Sequence, residues 1–243
     1  MAVLPAAVDT LTPRRIPSKN GRMTTPSSYA SPLVVCIEGP SAVGKSTLAA
    51  ALARGRGAAV VPELDAAGAP PVGRSSAWFV ERHAGQWRLA RELAARAPFA
   101  VLDGDPFKGL WYNWVYAAEG WEGVETVAPL YRAQVERGAL AFPDLYVALT
   151  ATEEELRRRR ALDASRSRRN FEKHLRLAGP LRRYFGELSG AAPGRVAIVE
   201  TNRRDELVGR VSEAVRGLPP GAPDSLRLLD HMAGWLRSHP PHL

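Results

Sequence analysis

The chain has 243 residues, 45% hydrophobic and 24% charged, which is the composition of one sizeable α/β domain with tails and excludes a disordered or fibrous protein. Its net charge of +8 is concentrated, with four basic residues against one acid in residues 1–32 and eleven against five in residues 151–183. So short a block suits a cover over phosphate groups and argues against a nucleic-acid partner; the single cysteine excludes an internal disulfide, and no apolar run approaches the roughly 18 residues of a membrane span.

Residues 1–32 are rich in Pro, Ser, Thr and Arg without hydrophobic period, and are expected to form a disordered basic tail. They lack the basic start and long apolar centre of a secretory signal, and Cys36 lies inside an apolar run, so the expected compartment is the cytoplasm. The run Leu33 to Ile37 reads as a strand, and Leu48 to Ala53 as a helix. Between them stand Gly39, Pro40, Ser41, Ala42, Val43, Gly44, Lys45, Ser46 and Thr47, the P-loop pattern. In that pattern backbone N–H groups wrap a phosphate chain, Lys45 reaches the outer phosphates and the Ser46 hydroxyl faces magnesium. Of 33 basic residues 29 are Arg, so a lysine at this position is not what composition supplies by default. ATP with Mg²⁺ is the expected ligand.

A short strand at 58–61 closes on Glu63, and a helix is predicted over 77–96. The third strand, 99–102, delivers Asp103-Gly104-Asp105 at its end, where open α/β sheets place ligands. Six of the chain's eighteen aromatic residues follow between Phe107 and Trp121. A helix at 125–138 leads to a fourth strand at 144–149, and an uninterrupted polar helix is predicted over 152–178, carrying most of the arginine block. A short helix at 181–188, a fifth strand at 195–202 and a helix at 204–216 complete the domain, predicted as 33–217. Residues 218–243 read as a linker and a last helix, which either docks on the domain or makes a homodimer contact.

This order of elements resembles the P-loop nucleoside and nucleotide kinases, deoxynucleoside and thymidylate kinases above all, from about Leu33 to Gly217. The resemblance implies a three-layer fold with a five-stranded parallel sheet, helices on both faces, a mobile arginine-rich lid over ATP, and phosphoryl transfer to a small-molecule acceptor. It places Glu63 as the carboxylate acting on the acceptor hydroxyl, and Trp78 and Gln86 against the acceptor's base. Those kinases carry an arginine directly after the acid of the third strand; here Gly104 follows Asp103, so either Arg82 substitutes or the acceptor differs.

The chemistry needs a metal site, an acceptor-side base and positive charge over the moving phosphoryl group. Ser46 and Asp103 are the expected magnesium ligands, and Glu63 and Asp105 compete for the role of base. Arg157 to Arg160 cover every face of a helical turn, so only a subset can act; Arg159, Arg166 and Arg168 are the candidates. Phe107, Trp111 and Trp114 are expected to wall the acceptor pocket, with Lys108 near an anionic acceptor. Alternatives are a phosphotransferase modifying an antibiotic or other secondary metabolite, similar to chloramphenicol phosphotransferase, and a nucleotide-gated regulator without catalysis.

Overall fold

The computed structural model describes residues 32–64, 76–163, 171–201 and 204–241. Five strands, β1 (Val34–Glu38), β2 (Ala59–Val61), β3 (Ala100–Asp103), β4 (Leu145–Thr150) and β5 (Val196–Glu200), form one parallel sheet in the order β2-β3-β1-β4-β5. Both faces of the sheet are covered, so its central strands read as unbroken apolar runs without alternation. Along β1, Val34 and Cys36 face one hydrophobic core and Val35 and Ile37 the other.

The first core packs against α2 (Ser76–Ala94), α3 (Lys108–Val115), α4 (Gly123–Glu136), α7 (Ala178–Ala191) and α9 (Ser225–Ser238). The second packs against α1 (Lys45–Arg56), α5 (Glu153–Leu162), α6 (Phe171–Leu175) and α8 (Arg204–Arg216). This is the three-layer α/β fold with helices on both faces. No helix among the described residues is long and apolar enough to cross a membrane.

One predicted element differs. The uninterrupted helix over 152–178 ends at Leu162, where Asp163 turns extended, and α6 is a separate short helix. A charged run without Gly or Pro has the propensity to continue, but only Leu156 and Arg159 of α5 are buried, so little tertiary packing extends it. The last helix buries Leu228, Leu229, Met232, Ala233 and Leu236 in the chain's own first core, so these residues are already covered without a second copy. Arg195 pins the preceding segment by donating to the carbonyls of Asp144 and Gly221. The predicted tail, apart from Pro32, lies outside the described residues, as do Arg166 and Arg168 of the predicted lid.

The sheet register sets the carboxyl edge. Ile37 pairs with Asp103 and Glu38 with Ala148, so the loops leaving β1, β3 and β4 emerge side by side. Gly39 begins the first of them with φ +154°, and a Cβ there would lie 2.5 Å from the carbonyl oxygen of Leu149. Gly39→Ala should therefore push β1 from β4 and cost about 1–3 kcal/mol, as overpacked sites do. Urea unfolding checks this; a midpoint equal to that of the parent would contradict the close approach.

Candidate active site

The P-loop runs from Gly39 to the first turn of α1. Ala42 stands at φ +68° and Gly44 at φ +108°, the turns that aim successive N–H groups inward; Ala42 holds the left-handed conformation without being glycine, a strain typical of binding loops. Lys45 Nζ donates to the Gly39 carbonyl at 2.8 Å, folding the ammonium over the loop. The loop lines a cavity of about 920 Å³, closed on its other sides by Trp111, Tyr112, Arg158, Phe171 and His174, among others.

Ser46 Oγ donates to Asp103 Oδ2 at 2.6 Å, while Asp103 Oδ1 is buried with no hydrogen-bond partner. Burial raises the Asp103 pKa above the ordinary carboxylate value, and the Ser46 hydroxyl and Lys45 work against that rise. A hydroxyl and a carboxylate with an unsatisfied oxygen, next to a phosphate cradle, fit Mg²⁺, which takes few protein ligands and completes its octahedron with water and phosphate. No group of three or more His, Cys, Asp or Glu side chains suited to a metal exists among the described residues.

A second cavity, about 450 Å³, opens on the other side of β3. It meets the first at three shared residues, Glu63, Lys108 and Tyr112. Lys108 Nζ bridges Glu63 Oε1 at 3.0 Å and Glu38 Oε2 at 3.2 Å. Burial alone would raise the pKa of Glu63, but Lys108 and Lys45 hold it at about 2. The paired carboxylates likewise drive the Lys108 pKa well above the ordinary lysine value, against its burial. Glu63 and Lys108 are thus both ionised at neutral pH.

Several sequence-predicted residues have other roles. Asp105 is buried beneath the junction and accepts from Phe107 N (2.8 Å), Tyr146 Oη (2.9 Å) and Trp111 Nε1 (2.8 Å), so both oxygens are engaged. Burial raises its pKa to about 6, and its place is that of an anchor for α3 rather than a base. Arg159 is buried, lines the P-loop cavity and donates to Val43 O, Thr201 O and Thr201 Oγ1, tying the P-loop to the residue after β5.

Phe107 stacks on Phe142 with ring centroids 4.0 Å apart, and Trp114 donates to the carbonyl of His239, so both belong to the core and not to a pocket wall. Trp111 lines the P-loop cavity instead of the second one. Trp78 and Arg82 stack on each other away from both cavities, with Arg82 exposed. Gln86 does line the second cavity and donates to the carbonyl of Pro62 at 2.8 Å.

Residues that the sequence alone does not single out complete the second cavity. Phe79 and His83 share the helix face of Gln86, and Tyr112 and Trp121 supply further rings. Asn113 Nδ2 donates to Gly109 O and Ser76 Oγ, leaving its buried Oδ1 unpaired. Tyr131 Oη accepts from Gly109 N and lies 3.3 Å from His83 Nδ1. A detectable signal existed for Glu38: a charged residue closing a strand otherwise wholly apolar and buried.

No protein-family model and no curated protein sequence matches the chain. Among solved structures, deoxyadenosine kinase from M. mycoides, with products dCMP and dCDP bound, is 13% identical over 76% of this chain and 100% of its own, with a TM-score of 0.58. The same enzyme with bound dATP aligns over the same shares at 14% identity and TM-score 0.57. Thymidylate kinase from Candida albicans aligns over 76% of this chain and 92% of its own, at 18% identity and TM-score 0.48. The likeness is one of fold: the chain has a P-loop nucleoside/nucleotide kinase-like architecture.

His83 gives this site a pH signature. Burial, then Lys108, lowers its pKa to about 3, so the folded protein keeps it neutral while the unfolded chain takes up a proton below about pH 6.5. Its stabilising contribution is complete above pH 6.5 and is lost as pH falls, by up to ~1.4 kcal/mol per unit. Asp105 acts in the opposite sense, equally in parent and variant. Unfolding midpoints measured from pH 7 to 4.5 should fall less steeply for His83→Gln than for the parent; parallel curves would contradict the assignment.

Proposed function

We propose that the protein is an ATP- and magnesium-dependent kinase transferring the γ-phosphoryl group to a nucleoside or nucleotide. The observation carrying this reading is the meeting of a P-loop cavity and an acceptor-sized cavity at Glu63, Lys108 and Tyr112. A cavity of about 450 Å³ is of small-molecule size, and the rings of Phe79, Tyr112 and Trp121 with the polar atoms of His83, Gln86 and Asn113 suit a planar heterocycle. A purely nucleotide-gated regulator has no use for a second cavity with a carboxylate at its mouth.

The residues divide the work. Lys45 exchanges the Gly39 carbonyl for the outer phosphates, and the backbone of Gly39 to Thr47 wraps the chain of phosphates. Ser46 and Asp103 would hold magnesium, which supplies neutralisation of the charge building on the phosphate oxygens. Glu63 holds Lys108 with Oε1, leaving Oε2 to accept a hydrogen bond from the acceptor hydroxyl and orient its oxygen. A weakly basic carboxylate suffices, because in a loose phosphoryl-transfer transition state the hydroxyl gives up its proton late. Arg158, exposed on α5 and paired with Glu155, lines the P-loop cavity with Arg159 and adds to the positive charge there.

Thermal-shift screening of nucleosides, nucleotides and antibiotics with an unreactive ATP analogue and Mg²⁺ identifies the acceptor, since a true one stabilises the folded state; an antibiotic alone would move the reading to the phosphotransferases of secondary metabolites. With the acceptor in hand, Glu63→Gln should slow turnover by at least ~10²-fold without lowering the unfolding temperature. Asp105→Asn should instead destabilise by about 1–3 kcal/mol, because three buried donors then face one carbonyl oxygen. The reverse pattern would make Asp105 the base.

A further inference from the structure

The acceptor cavity has a lopsided charge lining, whose meaning for substrate choice rests on the protein being a kinase. Four acidic residues line it, but Asp105 turns its carboxyl into the core and Asp103 is held by Ser46, so Glu63 and Glu122 carry its negative charge, against one cation, Lys108, and no arginine among the described residues. The ammonium of Lys108 is already engaged at 3.2 Å by Glu38 and at 3.0 Å by Glu63. Glu38 is almost fully buried and lies outside the acceptor cavity's lining, so it draws on the only positive charge there among the described residues.

The end of β3 offers no side chain to restore the balance. Gly104 stands at φ +125°, and a Cβ built on it would meet Lys108 Nζ at 3.7 Å, Glu63 Cγ at 3.8 Å and Glu38 Oε2 at 4.0 Å. A side chain at this position would be strained and would compete with the three-membered ionic cluster for its space. Arg82, the substitute expected from sequence, is exposed, with its guanidinium 5.0 Å from the Trp78 ring centroid, and does not line the cavity. Glu122 Oε2 accepts from Ser76 N at 3.0 Å, which holds the carboxylate at the cavity wall with no counter-charge paired to it among the described residues.

A phosphate acceptor would have to bring a dianion to the junction beside Glu63, where no uncommitted cation among the described residues receives it. An uncharged hydroxyl meets no such opposition and finds Glu63 Oε2 as a hydrogen-bond acceptor. We propose that the acceptor is an uncharged nucleoside-like hydroxyl compound, and that the carboxylates of this cavity reject nucleoside monophosphates by charge.

The test uses the full chain with ATP and Mg²⁺ and matched pairs of each nucleoside with its 5′-monophosphate, read as kcat/KM and as thermal stabilisation. For any base accepted, the nucleoside should exceed its monophosphate by at least ~100-fold, the scale on which close like charges discriminate. Glu122→Gln, whose amide oxygen can still accept from Ser76 N, should narrow that ratio several-fold. Transfer to a monophosphate within tenfold of its nucleoside overturns the charge filter and leaves the kinase reading standing. A large ratio unchanged by Glu122→Gln overturns charge as its cause. Stabilisation by ATP alone, with no pair bound or phosphorylated, overturns the kinase reading and the filter together.

Discussion

The carboxyl edge of the sheet hangs on one buried carboxylate. Glu38 closes β1 at 1% exposure, its Oε1 accepting from Gly39 N at 2.8 Å and its Oε2 from Asp105 N at 2.9 Å. Lys108 stands 3.2 Å away and Lys45 3.9 Å. An unpaired carboxylate in this position would cost several kcal/mol, so the strand can end in a charge only because the P-loop, the turn after β3 and the start of α3 all converge on it. The same contacts that make burial tolerable set the relative positions of the phosphate cradle and the acceptor cavity.

That convergence explains why function sits where it does. A parallel sheet whose order reverses around β1 leaves a crevice at its carboxyl edge, and here the crevice is divided by Glu63, Lys108 and Tyr112 into two chambers. Asp103 faces the phosphate side through Ser46, whereas Asp105, two residues on, turns inward to Trp111 and Tyr146. Gly104 permits the reversal with its left-handed backbone and leaves the space above it to Lys108. Two acids that look equivalent along the chain are therefore turned to different surroundings by one glycine, Asp103 toward Ser46 of the P-loop and Asp105 into the core.

The layers of the fold were legible because strands buried on both faces leave unbroken apolar runs, and the P-loop because its glycines and lysine answer to backbone geometry and phosphate charge. The acceptor side was less so. On α2, Trp78 is eight residues from Gln86 and Phe79 seven; at about 100° per residue the first is turned roughly 80° from Gln86 and the second only about 20°. Choosing by residue type selected the tryptophan, whereas helical phase selects Phe79; Arg82 lies only about 40° from Gln86 by phase but stacks on Trp78, and His83 lines the cavity instead. Between Phe107 and Trp121, composition cannot tell a core ring from a wall ring: Phe107 and Trp114 are packed inside, and Tyr112 and Trp121 border the cavity. Among four successive arginines, Arg159 turns inward because it shares a face with buried Leu156, a distinction that the charge run alone conceals.

Both chambers depend on Lys108 joining Glu38 and Glu63 into one ionised unit at their boundary. A double-mutant cycle on kcat/KM with Lys108→Met and Glu63→Gln measures this directly. If the unit is real, the double variant is little worse than the poorer single one, with a coupling of about 0.5–3 kcal/mol. Losses that add within about 0.5 kcal/mol would show that the two residues act independently and would contradict it.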